Sequence, residues 1–243
     1  MPTFTSNSDV IHPLPHAPNE AAALSRLEDR LSPLLSVIAG MVDLTGFFTL
    51  GNIFTAHVTG NLVVAAALVV RGGPVNLAQA LAIPVFMIAV AAVWFVAQAS
   101  GQRGSGLARL LLMIQFLLLT GVFVFSVITK PSASPHGLMA GIAVMIAVSA
   151  MACQYALFRL AMPRAISTSV MTGNLTNTVL SLMDALSPRR PLMPVDAERL
   201  RRSLFLLIGF LVGCVVAAAA IAVVGDWAWS FPAALAAVAI AFR

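Results

Sequence analysis

Long apolar runs dominate this chain and restrict what it can fold into. A helix needs about 20 apolar residues to cross the ~30 Å hydrocarbon core of a bilayer. Six runs approach that length: 34–50, 79–99, 108–128, 137–157, 203–224 and 227–242. Only 9% of the residues are charged, against about 25% in soluble domains. Because helices satisfy their own backbone in lipid, the sequence predicts an all-α polytopic membrane helix bundle with about six crossings.

The first 33 residues differ from the rest. They are polar, lack the pattern of a signal peptide, and predict a disordered tail with one short amphipathic helix over 19–31. That helix would lie on the cytoplasmic surface or simply be solvated. Residues 34–243 form the predicted membrane domain.

A repeated motif divides the membrane domain into two units, 34–130 and 137–243. Thr-Gly-Asn-Leu occurs at 59–62 and again at 172–175, within segments 54–70 and 167–183, and 39–48 aligns with 149–158. Repetition of this kind indicates a duplicated unit. With three crossings per unit, the second copy would run through the bilayer inverted, as in many secondary transporters.

The basic residues favour a particular topology. Five of the 14 Lys and Arg lie in the loop 189–202, as expected of a cytoplasmic connection, so the net charge of +5 does not predict a nucleic-acid partner. Six crossings with two re-entrant or broken helices leave only Arg71 and Lys130 outside, whereas eight crossings leave four basic residues there. The N-terminus is then cytoplasmic.

The repeated motif suggests two broken helices. Gly60 and Gly173 permit unusual backbone angles, and Asn61 and Asn174 can cap the half-helices that follow. The free N–H groups at such helix starts attract anions or acceptor oxygens. The alternative is that these glycines, with Thr59 and Thr172, only allow close helix packing while the asparagines cross-link helices.

Asp43 is the most unusual residue of the first run, close to its centre. A carboxylate in a membrane span is costly and predicts a position facing protein or water. His57 is its nearest candidate partner, and an Asp–His couple suits proton transfer. A purely structural Asp–His lock, or a neutral hydrogen-bonded Asp43, are the alternatives.

The second unit has no equivalent carboxylate. Cys153, Gln154 and Tyr155 occupy the corresponding stretch, and Gln154 can both donate and accept hydrogen bonds to a ligand or to broken backbone. Tyr155 could line the site or merely pack. The spacing of Cys and His residues predicts no metal and no cofactor.

These residues resemble the YoaK family of bacterial inner-membrane proteins. The resemblance covers nearly all of 34–242 and is carried by Gly40 and Asp43, by the His-x-Thr-Gly-Asn of 57–61, and by Thr172 and Gly173. The family commonly has Gln-Asn where this chain has Gln154 and Tyr155. The resemblance implies a multi-pass protein of the bacterial plasma membrane and no particular substrate.

Three functions are compatible with the sequence. The favoured hypothesis is a non-enzymatic secondary transporter or facilitator of a small solute, in which Asp43 and His57 couple solute movement to protons. No phosphate-binding loop for ATP is present. The alternatives are a membrane scaffold without transport and, less favoured, an embedded enzyme acting on a lipid-like substrate, for which no nucleophile is evident. The partners predicted are a solute and the bilayer, and a homo-oligomer is compatible with either function.

Overall fold

The computed structural model describes residues 18–72, 76–163, 165–168, 171–186 and 194–242. Within these ranges all regular structure is helical and there is no strand, which confirms the predicted all-α class. Eight α-helices follow one another: α1 Pro18–Thr49, α2 Gly60–Val70, α3 Leu77–Ser100, α4 Gly104–Thr129, α5 Leu138–Leu160, α6 Met171–Leu186, α7 Pro194–Val224 and α8 Ser230–Ala241. Two short 3-10 turns, Pro131–Ala133 and Gly225–Trp229, precede α5 and α8.

Five helical stretches in the described residues are long and apolar enough to cross a membrane. Four of them lie in α1, α3, α4 and α5, and the fifth, Ala197–Ala241, contains most of α7 and all of α8. α2 and α6 are too short, at 11 and 16 residues, to cross alone. The chain is therefore a polytopic membrane protein.

The stretch Ala197–Ala241 crosses twice, because the chain reverses at Gly225, whose φ of +57° is left-handed. At the start of α8, the Trp229 indole Nε1 donates to Oγ1 of Thr49 at the end of α1. Just beyond the end of α8, Phe242 lies in one cavity with Glu28 near the beginning of α1. α8 thus runs back along the bundle and supplies the sixth predicted crossing, although its 12 residues span only ~18 Å.

The helix ends define two faces. We call one the His136 face: there the end of α1, the start of α3 and the turn before α5 meet, since Gly51 approaches both His136 and Asn76. We call the opposite side the Arg202 face, where Arg202 of α7 is paired with Asp29 of α1 at 3.1 Å.

The two units exchange their packing partners. α1 packs against α7 and α8 of the second unit, while α5 packs against α3 and α4 of the first. α4 and α8, the last helices of each unit, contact each other. This correspondence, with α1 and α5 running in opposite directions between the two faces, fits an inverted repeat.

Glycines bring α1 and α7 into backbone contact. A Cβ added to Gly213 would lie 2.2 Å from the Val37 carbonyl oxygen, and one added to Gly40 would lie 2.2 Å from that of Phe210. Gly209 and Gly213 form a Gly-x-x-x-Gly pattern, which permits such close approach between membrane helices. The Ser36 hydroxyl also donates to the Leu206 carbonyl across this contact, at 2.6 Å.

The first helix differs from its prediction. α1 continues without interruption from Pro18 through Pro33 to Thr49, so no separate amphipathic surface helix exists over 19–31, and the predicted boundary at residue 33 falls inside a helix. Leu31 and Leu35 are fully buried, because this part of α1 packs on α7. Residues 1–17, where most of the predicted tail falls, lie outside the described residues.

Candidate functional site

The segment between α1 and α3 enters the bundle and leaves it on the same face. Gly51, with φ +83°, and Asn52, with φ +60°, reverse the chain after α1. A Cβ on Gly51 would lie 3.2 Å from the side-chain nitrogen of Asn76 at the start of α3, so the segment begins and ends at the His136 face. The non-helical residues 51–59 and α2 together form a re-entrant segment.

Asp43 holds the innermost part of this segment. Its Oδ1 accepts hydrogen bonds from the backbone N–H of Thr55 at 2.8 Å, of Ala56 at 2.9 Å and, at a longer 3.4 Å, of His57. Thr55 adds a hydrogen bond from its hydroxyl to the Val42 carbonyl. The carboxylate thus satisfies N–H groups that would be left unpaired in a membrane interior, where each costs several kcal/mol.

The other oxygen of Asp43 contacts His57. Its Oδ2 lies 2.7 Å from Nδ1 of His57, and the side chains are 7% and 29% exposed respectively. The predicted Asp–His couple is therefore formed. Asp43 is not central in its helix, however: it lies six residues before the end of α1, ~9 Å from the His136 face, because α1 begins much earlier than predicted.

A small cavity adjoins the couple. Its volume is about 230 Å³, and its wall combines Asp43 with three phenyl rings, Phe47, Phe54 and Phe210, and the thiol of Cys214. The ring of His57 meets that of Phe210 edge-on, with centroids 5.2 Å apart. The cavity brings a carboxylate to a largely apolar space between α1, the re-entrant segment and α7.

The two motif asparagines have the same role in the two units. Asn61 accepts from the Phe54 N–H at 2.9 Å and donates to the Phe54 carbonyl at 2.8 Å, seven residues before it. Asn174 donates to the carbonyl of Ser167, also seven residues before it, at 3.0 Å. The two copies of the motif thus share a side-chain hydrogen bond to the backbone seven residues earlier.

The predicted capping by Asn61 is not found. Thr59 is the N-cap residue of α2, without a side-chain cap, and Asn61 lies inside the helix, so its amide reaches back to the loop instead. The break precedes the motif. Gly60 does not have a left-handed φ; it leaves room for the Phe54 ring, 3.1 Å from an added Cβ. Thr172 and Gly173 lie within α6.

Gln154 and Tyr155, consecutive on α5, connect the two breaks. The Tyr155 hydroxyl donates to the Ala56 carbonyl at 2.8 Å, in the first re-entrant segment. The Gln154 side-chain amide donates to Oγ1 of Thr168, in the second, at 3.2 Å and to the Leu35 carbonyl at 3.0 Å. Neither residue is merely packed against its neighbours.

Gln115 is a polar residue that the sequence reasoning missed. Its side-chain amide donates to Oε1 of Gln154 at 2.7 Å and is fully buried. The signal was present, since Gln115 is the one amide in the apolar run 108–128. It completes a buried chain of amides leading to Thr168.

The second re-entrant segment enters from the Arg202 face. Ala165 and Ile166, which follow α5, line a cavity with Arg201 and Arg202 near the start of α7. The second segment therefore begins close to the start of α7, the helix that follows it. In the same way, the first segment begins close to the start of α3 on the opposite face. The two motif segments therefore lie toward opposite faces of the bundle.

The two breaks are not joined in one open pocket. Between Leu35, which binds Gln154, and Asp43, which binds Thr55, the α1 residues Ile38, Ala39 and Val42 are fully buried. The two breaks therefore share no open space, because close packing lies between them. Within the described ranges, no three His, Cys, Asp or Glu side chains form a group that could bind a metal ion.

Comparisons with known proteins identify a family whose function is unknown. No curated protein and no solved structure matches the chain. A family described as "protein of unknown function (DUF1275)" matches residues 31–242, which include both re-entrant segments. The match does not carry the YoaK name, which remains a resemblance. Since it covers most of the sequence, the chain belongs to the DUF1275 family of proteins of unknown function.

Proposed function

We propose that this protein is a secondary transporter or facilitator of a small solute, coupled to protons through Asp43 and His57. It would act in the bacterial plasma membrane with the Arg202 face, and so the N-terminus, in the cytoplasm. Eight described Arg lie near the Arg202 face and only Arg71 and Lys130 near the other, which supports that orientation.

The observation that carries the proposal is the ionisable couple at the tip of a re-entrant segment. Ionisable groups within membrane segments are costly and mark ion or proton pathways by default. Here Asp43 binds both the imidazole of His57 and the backbone of the loop. A proton arriving at this carboxylate would therefore act on the loop conformation directly.

The chemistry follows from the hydrogen bonds. An ionised carboxylate is the stronger acceptor for the N–H groups of Thr55 and Ala56. Protonation of Asp43 would weaken these bonds, while the Tyr155 hydroxyl still binds the Ala56 carbonyl. The loop could then move between two arrangements, and the inverted second unit provides the corresponding element on the other face. Gln154, Asn61 and Asn174 would position the two loops.

A second function, a scaffold without transport, is favoured by one observation. Asp43 accepts three backbone N–H groups, as a structural lock would. The two functions differ in what Asp43→Asn does. An asparagine keeps one oxygen for Thr55 and Ala56 but cannot carry a negative charge.

Flux through reconstituted protein tests the proposal. Vesicles containing the protein are screened with labelled amino acids, sugars, organic acids and inorganic ions, with and without a pH gradient. We expect flux of one solute class, stimulated by the gradient, and at least a tenfold loss in Asp43→Asn with normal folding. Asp184→Asn, which alters an exposed carboxylate of α6, is the matched control and should transport normally.

Two results would contradict the proposal. One is absence of flux for every class in folded wild-type protein. The other is flux that Asp43→Asn leaves unchanged. The scaffold function predicts instead that the Asp43→Asn substitution lowers only the thermal stability.

A further inference from the structure

A larger cavity lies at the Arg202 face, apart from the Asp43 couple. Its volume is about 490 Å³, within the ~300–1,000 Å³ typical of small-molecule sites. Apolar side chains from α1, α7, the second re-entrant segment and the residue that follows α8 form much of its wall: Pro33, Ala165, Ile166, Phe205, Leu206 and Phe242. The cavity can therefore accommodate the apolar part of a small-molecule ligand.

Charged groups of both signs lie at the same cavity. Glu28, Asp29, Arg30, Arg201 and Arg202 line it. Glu198 binds Arg201 at 2.8 Å and Arg202 at 2.7 Å. Together with Glu198, the charged groups at the cavity are three acids and three bases, so their formal charges cancel. A net anion or cation gains little from such a balanced set, whereas a molecule carrying both charges can use both.

Two of these groups are placed to bind a zwitterion. Arg30 is exposed and makes no ion pair with any residue the structure describes, so its guanidinium is available to a carboxylate or phosphate. Asp29 uses Oδ1 for its ion pair with Arg202, which leaves Oδ2 for an ammonium group.

The cavity lies where water meets hydrocarbon. Asp29 and Thr49 are twenty residues apart in one helix, ~30 Å along its axis, which matches the thickness of the hydrocarbon core. Charged groups are therefore at the water boundary and the apolar wall extends inward. Ile166 is two residues from Thr168, which Gln154 binds, so the cavity adjoins the second break.

We propose that this Arg202-face cavity binds a zwitterion joined to an apolar body. The anionic group would contact Arg30, the ammonium Asp29, and the apolar body Ile166 and Phe205. A free apolar amino acid and the headgroup of a zwitterionic lipid share this chemistry. The site exists whether or not the protein transports anything, because binding requires no movement of either re-entrant segment.

Binding to the purified full-length protein in non-ionic detergent tests this. Equilibrium dialysis measures labelled L-phenylalanine, with three competitors that each lack one feature: 3-phenylpropionate has no ammonium, phenethylamine no carboxylate and glycine no apolar body. We expect each competitor to bind at least tenfold more weakly than phenylalanine. Dihexanoyl phosphatidylethanolamine and the anionic dihexanoyl phosphatidylglycerol form the lipid arm. Binding of the phosphatidylethanolamine without binding of the phosphatidylglycerol supports the site and assigns it to lipid.

Variants locate the binding. Arg30→Gln should weaken it at least tenfold, and Ala165→Trp, which fills the cavity, should abolish it. Arg103→Gln, an exposed arginine between α3 and α4, is the control and should bind normally. Should Ala165→Trp not fold, Phe205→Ala replaces it, with at least a threefold loss expected.

The proposal is overturned if neither phenylalanine nor the phosphatidylethanolamine binds. It is equally overturned if 3-phenylpropionate or the phosphatidylglycerol binds as tightly as its zwitterionic counterpart. Binding that Arg30→Gln and the cavity variant leave unchanged would also overturn it. None of these measurements involves a gradient, so failure here is distinct from failure of the flux experiment.

Discussion

At the scale of single residues, side chains that bind backbone hold the two breaks. Asp43, Asn61, Asn174 and Tyr155 each hydrogen-bond to main-chain groups of a re-entrant segment. Such groups cannot find water in a bilayer, so each of these side chains replaces solvent. The polar residues of this apolar chain are therefore concentrated where its backbone departs from helix.

The hydrogen bonds of Asn61 should matter for stability. Asn61→Ala leaves the N–H and carbonyl of Phe54 without that partner, and each buried unpaired group costs about 1–3 kcal/mol. We expect thermal unfolding in detergent to shift down by several degrees. Asn177→Ala, at an exposed position of α6, is the control; equal shifts in both variants would contradict the role given to Asn61.

Residue identity alone predicted some of the side-chain contacts at the two breaks but not the others. The Asp43–His57 couple could be expected because both residues are rare in a membrane segment and close in sequence. The bond from Asn61 to Phe54 could not, since helix capping is the commoner role of asparagine and depends on where the helix starts. Gln115 meets Gln154 across two helices, a contact that sequence spacing does not show.

At the scale of elements, close contact between α1 and α7 joins the two units. Gly40, Gly209 and Gly213 carry no side chain where the helix backbones meet, and a Cβ added at any of them would lie 2.2–2.9 Å from a carbonyl oxygen. Without Cβ atoms the helices gain van der Waals contact, the main source of association in membranes. α1 is therefore fixed to the second unit while it carries Asp43 of the first.

Substitution at this contact should be costly. Gly213→Ala places a methyl group against the Val37 carbonyl, and overpacking of this kind costs about 1–3 kcal/mol. We expect a lower unfolding temperature than in Gly121→Ala, whose Cβ would meet only the Ile146 side chain at 4.0 Å. Unfolding followed by size-exclusion chromatography compares the two; equal stability would show that α1 and α7 can separate freely.

The sequence predicted the boundaries of some helices better than those of others. α3, α4 and α5 lie within a few residues of their predicted apolar runs, because hydropathy alone limits them. α1 was predicted too short, since the first 33 residues are polar and were assigned to a tail. Arg202 of α7 pairs with Asp29 in this part of α1, a tertiary contact that no local pattern contains.

At the scale of the whole molecule, the helix packing fits two inverted units whose helices pack mainly against those of the other unit. The odd number of crossings in each unit, predicted from the repeated motif and the charge distribution, agrees with re-entrant segments that enter from opposite faces. No single open pocket joins the two breaks; close packing along α1 lies between them, with a separate cavity near each break. Alternating access in such a molecule requires that this packing opens.

Site-directed labelling in sealed vesicles tests the inverted arrangement most directly. Single cysteines replace Arg71 and Lys130, beside the His136 face, and Arg103 and Arg199, beside the other, with Cys214→Ala removing the half-buried native thiol. A membrane-impermeant maleimide should label Arg71→Cys and Lys130→Cys from one side and Arg103→Cys and Arg199→Cys only from the other. Labelling of Arg71→Cys and Lys130→Cys from the same side as Arg199→Cys, with Arg103→Cys on the opposite side, would show that both motif segments cross the bilayer, and the inverted re-entrant architecture would be wrong.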